Sequence, residues 1–221
     1  MVAGLVEARA VVLGGAIAAR RIGRNGSADR SLSRGREEMV EDNLREEIPI
    51  RGVSPGDLEG ILGLARRTGV FTSEEVAVVK ELVEAELNNP RQKDYRSFVA
   101  EADGHVVGFV CYGPAPMTEG TYDLYWIFVH PSYQGRAIGR ALLEEVEGAI
   151  QRSKGRLLTV DTSSTEPYGA ARRFYERRGF LQVAEVRDYY RVGDSRLTYV
   201  KQLCPQGRPA ERIDTAVRPL C

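Results

Sequence analysis

Between residues 121 and 143 the chain reads Thr-Tyr-Asp-Leu-Tyr-Trp-Ile-Phe-Val-His-Pro-Ser-Tyr-Gln-Gly-Arg-Ala-Ile-Gly-Arg-Ala-Leu-Leu. Thr121–Val129, rich in aromatic and β-branched residues, predicts a strand, and His130-Pro131 ends it. Ile138, Leu142, Val146 and Ala149 then fall on one helical stripe. Only a short run of small and polar residues separates strand from helix. A helix entered so abruptly presents unpaired backbone N–H groups and the positive end of its dipole, a natural seat for an anion. Gly135, Ala137 and Gly139 keep bulk away, while Arg136 and Arg140 add positive charge. The run matches neither the lysine-containing P-loop nor the dinucleotide glycine motif. It therefore predicts a pyrophosphate site of another kind, or a tight turn with no ligand.

The elements around this unit alternate between helix and strand signals. Ile48 to Val53 reads as a short strand, and Ser54-Pro55 opens a helix carrying Leu58, Ile61, Leu62 and Ala65 that Gly69 stops. Thr72 and Glu75 form a capping box ahead of a stripe of Val76, Val79, Leu82, Val83 and Leu87. Phe98–Ala102 and Val106–Tyr112 flank Asp103-Gly104, a hairpin signal. Leu157–Val160, Val183–Tyr190 and Leu197–Leu203 read as further strands, and Tyr168–Arg178 as a helix ended by Gly179. This order describes one mixed α/β domain over residues 48–203.

The 221 residues carry 31 basic and 31 acidic side chains, which excludes a strongly basic nucleic-acid binder and an acidic disordered chain. The balance is uneven. Residues 1–36 net +5, with seven arginines against two acids, so residues 37–221 net −5. Residues 1–47 read as a basic, then acidic, extension that is disordered or partly helical, with a targeting segment as the alternative. Residues 204–221 read as a proline-containing tail. Three scattered cysteines and two histidines predict neither a disulfide framework nor a metal site, and no stretch reaches the length of a membrane span. The expected setting is the reducing cytoplasm, with no nucleic-acid or membrane partner.

Three segments carry a resemblance. Gln134-Gly-Arg-Ala-Ile-Gly139 is similar to the Gln/Arg-x-x-Gly-x-Gly/Ala signature of the GNAT N-acetyltransferase superfamily, with Ala137 in place of its first glycine. Ala171-Arg-Arg-Phe-Tyr-Glu-Arg-Arg-Gly-Phe180 resembles the second signature, Ala-x-x-x-Tyr-x-x-x-Gly-Phe, and Gly104-His-Val-Val-Gly-Phe109 the hairpin that enters the sheet. The likeness runs over about residues 48–203, in order. It implies a single α/β (α+β) GNAT-like domain with a mixed, mostly antiparallel central sheet flanked by helices. It also implies transfer of an acetyl group from acetyl-CoA to a primary amine by direct attack in a ternary complex. The acceptor expected first is a small-molecule amine, a peptide or protein N-terminal amine second. A catalytically silent acyl-CoA-binding module is the rival, and a homodimer is one assembly open to the family.

The resemblance also assigns residues. The backbone of Ile127 and Val129 would bind the pantetheine arm, with the Val129 or Phe128 N–H polarising the thioester. Gln134, Gly135, Arg136, Ala137, Ile138, Gly139 and Arg140 would surround the pyrophosphate. Ser164 or Tyr168 stands where the family often has a pantetheine-binding asparagine. Tyr175 occupies the general-acid position, and packing as a core tyrosine is its other reading. Asp123 is the candidate base or amine-binding carboxylate, with Glu119 on the preceding loop as runner-up. Phe71, Thr72 and Tyr125 would line the acceptor pocket. Arg172, Arg173, Arg177 and Arg178 read as a solvated helix face, with contact to the coenzyme 3′-phosphate as the alternative. By strict alternation, Asp123, Tyr125, Ile127 and Val129 share one face of their strand, and Tyr122, Leu124, Trp126 and Phe128 the other.

Overall fold

The computed structural model describes residues 48–203. The basic and acidic extension of residues 1–47 and the tail of residues 204–221 lie outside the described residues. The order is β1 (Ile50–Gly52), a 3-10 turn (Pro55–Asp57), α1 (Leu58–Arg67), α2 (Ser73–Asn88), β2 (Arg96–Ala102), β3 (His105–Pro114) and β4 (Thr121–Val129). After a second 3-10 turn (Pro131–Tyr133) come α3 (Ile138–Arg152), β5 (Leu157–Ser163), a third 3-10 turn (Glu166–Tyr168), α4 (Gly169–Arg177), β6 (Leu181–Arg191) and β7 (Asp194–Gln202).

Local signals explain most boundaries. Thr72 Oγ1 accepts the Glu75 N–H (3.2 Å) while Glu75 Oε2 accepts the Thr72 N–H (2.8 Å), closing the capping box that starts α2. Asp103 and Gly104 both take positive φ (51° and 73°), the conformation a two-residue hairpin needs to match strand twist. Asp57 belongs to the 3-10 turn ahead of α1, and its carboxylate accepts from the Ser54 N–H at 2.7 Å. The same carboxylate takes two hydrogen bonds from Arg51, which also binds Glu101, so one guanidinium joins β1, the turn and β2.

The seven strands form one sheet in the order β1-β2-β3-β4-β5-β7-β6. Every neighbouring pair is antiparallel except β4 and β5. Helices α3 and α4 cover one face through Ile138, Leu142, Val146 and Tyr175, packed on Val110, Ile127, Val129 and Tyr199. Helices α1 and α2 cover the other through Ile61, Leu64, Val79 and Val83, packed on Phe109, Trp126 and Phe128. Each such side chain taken fully out of water stabilises the fold by about 2 kcal/mol.

Two strand readings are corrected. β5 continues past Val160 to Ser163, because Thr198 donates to Asp161 Oδ1 (2.5 Å) and Ser163 donates to the buried Asp194 (2.5 Å). Those bonds satisfy polar side chains that would otherwise mark a turn. The alternation of β4 also breaks. Cys111 pairs with Trp126 but Tyr112 pairs with Leu124, so Tyr125 is the extra residue of a β-bulge. Ile127 and Val129 therefore join Leu124 on the α3 and α4 face, and Tyr125 joins Trp126 and Phe128 on the α1 and α2 face. Asp123, adjacent to Leu124, lies on the Tyr125 side and not with Ile127.

Candidate active site

β4 and β5 pair only from Thr121/Leu157 to Asp123/Thr159, although both strands run on, to Val129 and Ser163. Beyond that point β4 stays laddered to β3 and β5 to β7. The two middle strands thus part toward their C-terminal ends and leave an opening in the sheet. The His130 N–H donates to Val107 O (2.8 Å). Strand alternation then directs the Phe128 backbone groups to β3 and turns those of Ile127 and Val129 into the opening. Of the two N–H groups expected there, only that of Val129 faces it.

The strand-to-helix connection lies at the same end. His130 Nδ1 accepts the Ser132 N–H (3.2 Å) and caps the Pro131–Tyr133 turn. Gly135 takes φ 80° and Ala137 φ 62°, after which α3 begins. No side chain caps α3 and its first turn holds no acid. Its leading N–H groups are left for an anion. Ala137 pays for this turn with a left-handed backbone, about 1 kcal/mol less favourable than glycine there. The exposed Arg136 guanidinium lies 4.9 Å from the centre of the Tyr133 ring, and Arg140 pairs with Glu144 at 3.3 Å. Gln134 and Gly139 are half-buried and Ile138 is buried.

Tyr175 is fully buried against Phe180, Tyr199 and Phe174. Its hydroxyl has no hydrogen-bond partner among the described residues. Burial pushes its pKa well above the ordinary value, with Tyr199 adding to the shift, so the group is a neutral phenol. Asp123, on the opposite face, accepts the Thr159 hydroxyl. Burial raises its pKa, the Thr159 bond opposes that, and the charge of Asp161 adds to it.

Not every candidate converges. Glu119 is exposed at the closed end of the β4/β5 pair, where its carbonyl accepts from Arg156 Nε (2.9 Å), and is not brought to the opening. Ser164 Oγ accepts the Ser195 N–H and the Ser164 N–H donates to Ser195 O, both at 2.9 Å. Tyr168 is buried at the end of the third 3-10 turn. Arg172 is half-buried rather than on a solvated face: its Nη1 donates to Ser163 O (2.7 Å) and Thr165 O (2.8 Å), tying α4 to β5. Phe71 and Thr72 border a groove of about 470 Å³ between α1 and α2, where the Phe71 ring meets Trp126 and Phe128 edge-on. Tyr95, Asp94 and Asp161 come near Asp123 or Tyr125 without a local sequence signal for it. Among the described residues no cluster of three His, Cys, Asp or Glu side chains could hold a metal, and no helix is long and apolar enough to cross a membrane.

The residues of the opening suit coenzyme A: a strand edge for an amide-bearing arm and open N–H groups for a pyrophosphate. Comparisons with known proteins identify the family. Residues 93–182 match the acetyltransferase (GNAT) domain model. N-alpha-acetyltransferase RimI of Mycobacterium tuberculosis is 34% identical over 96 residues, which cover 42% of this chain and 56% of that protein. The chain thus spans little more than half the length of that curated relative. A GNAT-family chain from Desulfovibrio desulfuricans is 41% identical and superposes with a TM-score of 0.69, over 71% of this chain and 99% of that one. PaiA N-acetyltransferase of Thermoplasma acidophilum, solved with coenzyme A, shares the fold at 22% identity, with a TM-score of 0.56 over 70% of this chain and 98% of that one. The chain belongs to the GNAT acetyltransferase family.

Proposed function

We propose that this protein transfers the acetyl group of acetyl-CoA to a primary amine by direct attack, with both substrates held together where β4 and β5 part. The observation that carries the reading is the meeting, at one end of the sheet, of a strand edge with unpaired backbone groups and a helix start with uncapped N–H groups. Acetyl-CoA, when bound, supplies the acyl group as a thioester. The first-turn N–H groups of α3, with Gln134, Gly135, Ala137, Ile138 and Gly139 around them, hold the pyrophosphate. Arg136 and Arg140 add charge-assisted contacts. Ile127 and Val129 bind the arm as an added strand would be bound, and the Val129 N–H polarises the carbonyl. Ser164 keeps a hydroxyl proton to donate to the arm, while Tyr168 packs beneath it.

Three proton movements complete the transfer. Asp123 draws the acceptor to the opening as an ammonium ion and takes one proton from it to free the lone pair, and the nitrogen releases a second proton to water as the new N–C bond forms. Tyr175 gives its phenolic proton to the departing sulfur as the S–C bond breaks. The phenol is protonated at neutral pH and so has a proton to give. The resemblance to RimI favours a second reading, in which the acceptor is the α-amine of a protein or peptide.

The test is thiol release from acetyl-CoA across a panel of primary amines and peptide N-termini, with the acetylated product identified by mass. Release matched one-to-one by product supports the reading. Binding of acetyl-CoA with no amine ever acetylated overturns it in favour of a silent acyl-CoA-binding module.

A further inference from the structure

The residue that the β4 bulge adds, Tyr125, lies just past the last β4/β5 pair. There its ring meets Tyr95 edge-on, with centroids 5.6 Å apart at 68°. The segment that carries Tyr95 is fastened by one side chain. Gln92 Nε2 donates to Tyr95 O (2.7 Å), and Gln92 Oε1 accepts the N–H groups of Asp94 (2.6 Å) and Tyr95 (2.9 Å). Gly113 permits the approach, since a Cβ there would lie 1.9 Å from Asp94 O and 3.0 Å from Tyr125 Cε2. Gly113 is also level with Asp123 in the ladder. The result is a half-buried corner over β3 and β4, next to the opening: two phenol rings, with Asp123 on the same face of β4 and Asp94 at the rim. Burial keeps the Tyr125 hydroxyl protonated, and the carboxylates Asp123 and Asp94 act in the same direction.

Ring faces beside a partly desolvated carboxylate attract a cation and offer little to a neutral molecule. We propose that Tyr125 is a specificity-determining residue of the acceptor site: with Tyr95 and Asp123 it binds the acceptor as an alkylammonium ion and selects strongly basic aliphatic amines over weakly basic or uncharged ones. The inference rests on the acetyl-transfer reading for the identity of the acceptor. Its test needs no turnover.

Butylammonium chloride and n-butanol are titrated separately into the full-length protein without coenzyme, followed by intrinsic fluorescence. The wild-type protein is expected to bind butylammonium about tenfold more tightly than n-butanol. Tyr125→Leu, which keeps apolar bulk but removes the ring, should abolish most of that preference, and Tyr125→Phe should retain it. Tyr95→Leu probes the opposite wall and carries the test if Tyr125→Leu does not fold by thermal melting. Equal binding of ion and alcohol by the wild-type protein overturns the proposal, as does an equal loss in Tyr125→Phe and Tyr125→Leu. An ammonium preference without thiol release would instead leave this corner standing and remove the acetyl-transfer reading.

Discussion

Tyr175→Phe separates the packing of this side chain from the proton donation proposed for it. The phenol is fully buried and its hydroxyl lacks a partner among the described residues. A buried polar group left unsatisfied costs about 1–3 kcal/mol. Phenylalanine keeps the ring contacts with Phe180 and Tyr199 and deletes only the oxygen, so no cavity larger than that atom forms. The variant should therefore be more stable than wild type by about 1 kcal/mol, a rise in Tm of about 3 °C for a chain of this size. Turnover should move the other way. Losing a positioned general acid lowers the rate about a hundredfold or more, with acetyl-CoA binding little changed. Thermal melts without ligand, paired with thiol-release kinetics, read both effects. A variant that melts lower than wild type and turns over as fast would refute the orphan hydroxyl and the proton donor together.

Other substitutions reach the remaining parts. Asp123→Asn should lower acetyl transfer at least tenfold. It should also stabilise the protein at neutral pH: the folded pKa is raised, so the ionised carboxylate disfavours folding, and the advantage should vanish below about pH 4, where Asp123 is protonated in both states. Asp57→Asn runs oppositely. The Arg51 guanidinium holds Asp57 at about 2, against 3.8 for an ordinary aspartate, so its ionised form contributes about 2 kcal/mol above pH 4 that is lost as pH falls through 2. Urea titrations of wild type and variant should differ by that amount at pH 7 and converge near pH 2. Ala137→Gly should relieve the left-handed backbone and leave the melting temperature within about 1 °C of wild type, because the gain is offset by the greater freedom of unfolded glycine. A loss of more than about 2 kcal/mol would mean that the methyl group packs in the site.

Local chemistry made much of the domain legible. The capping box at Thr72, the Asp103-Gly104 turn and the stripe from Ile138 to Val146 each rest on contacts within a few residues. What stayed hidden depends on distant partners. The bulge at Tyr125 left no trace, because Thr121–Val129 is apolar or aromatic in nearly every register and an inserted residue does not break its pattern. The end of β5 lay beyond the strand expected over Leu157–Val160, since Asp161-Thr162-Ser163 acquires its strand partners only from β7. Arg172 read as a surface charge and proved to hold the carbonyls of Ser163, the last residue of β5, and Thr165. Tyr95 joins Tyr125 only because Gly113, on another strand, leaves room for the chain to pass.

The central claim is that one opening brings both substrates together. Initial rates of thiol release, measured while acetyl-CoA and a primary amine are varied against each other, test it most directly. Direct transfer in a ternary complex predicts intersecting double-reciprocal lines and no acetylated protein by mass. Parallel lines with an acetyl group carried on the chain would contradict the account.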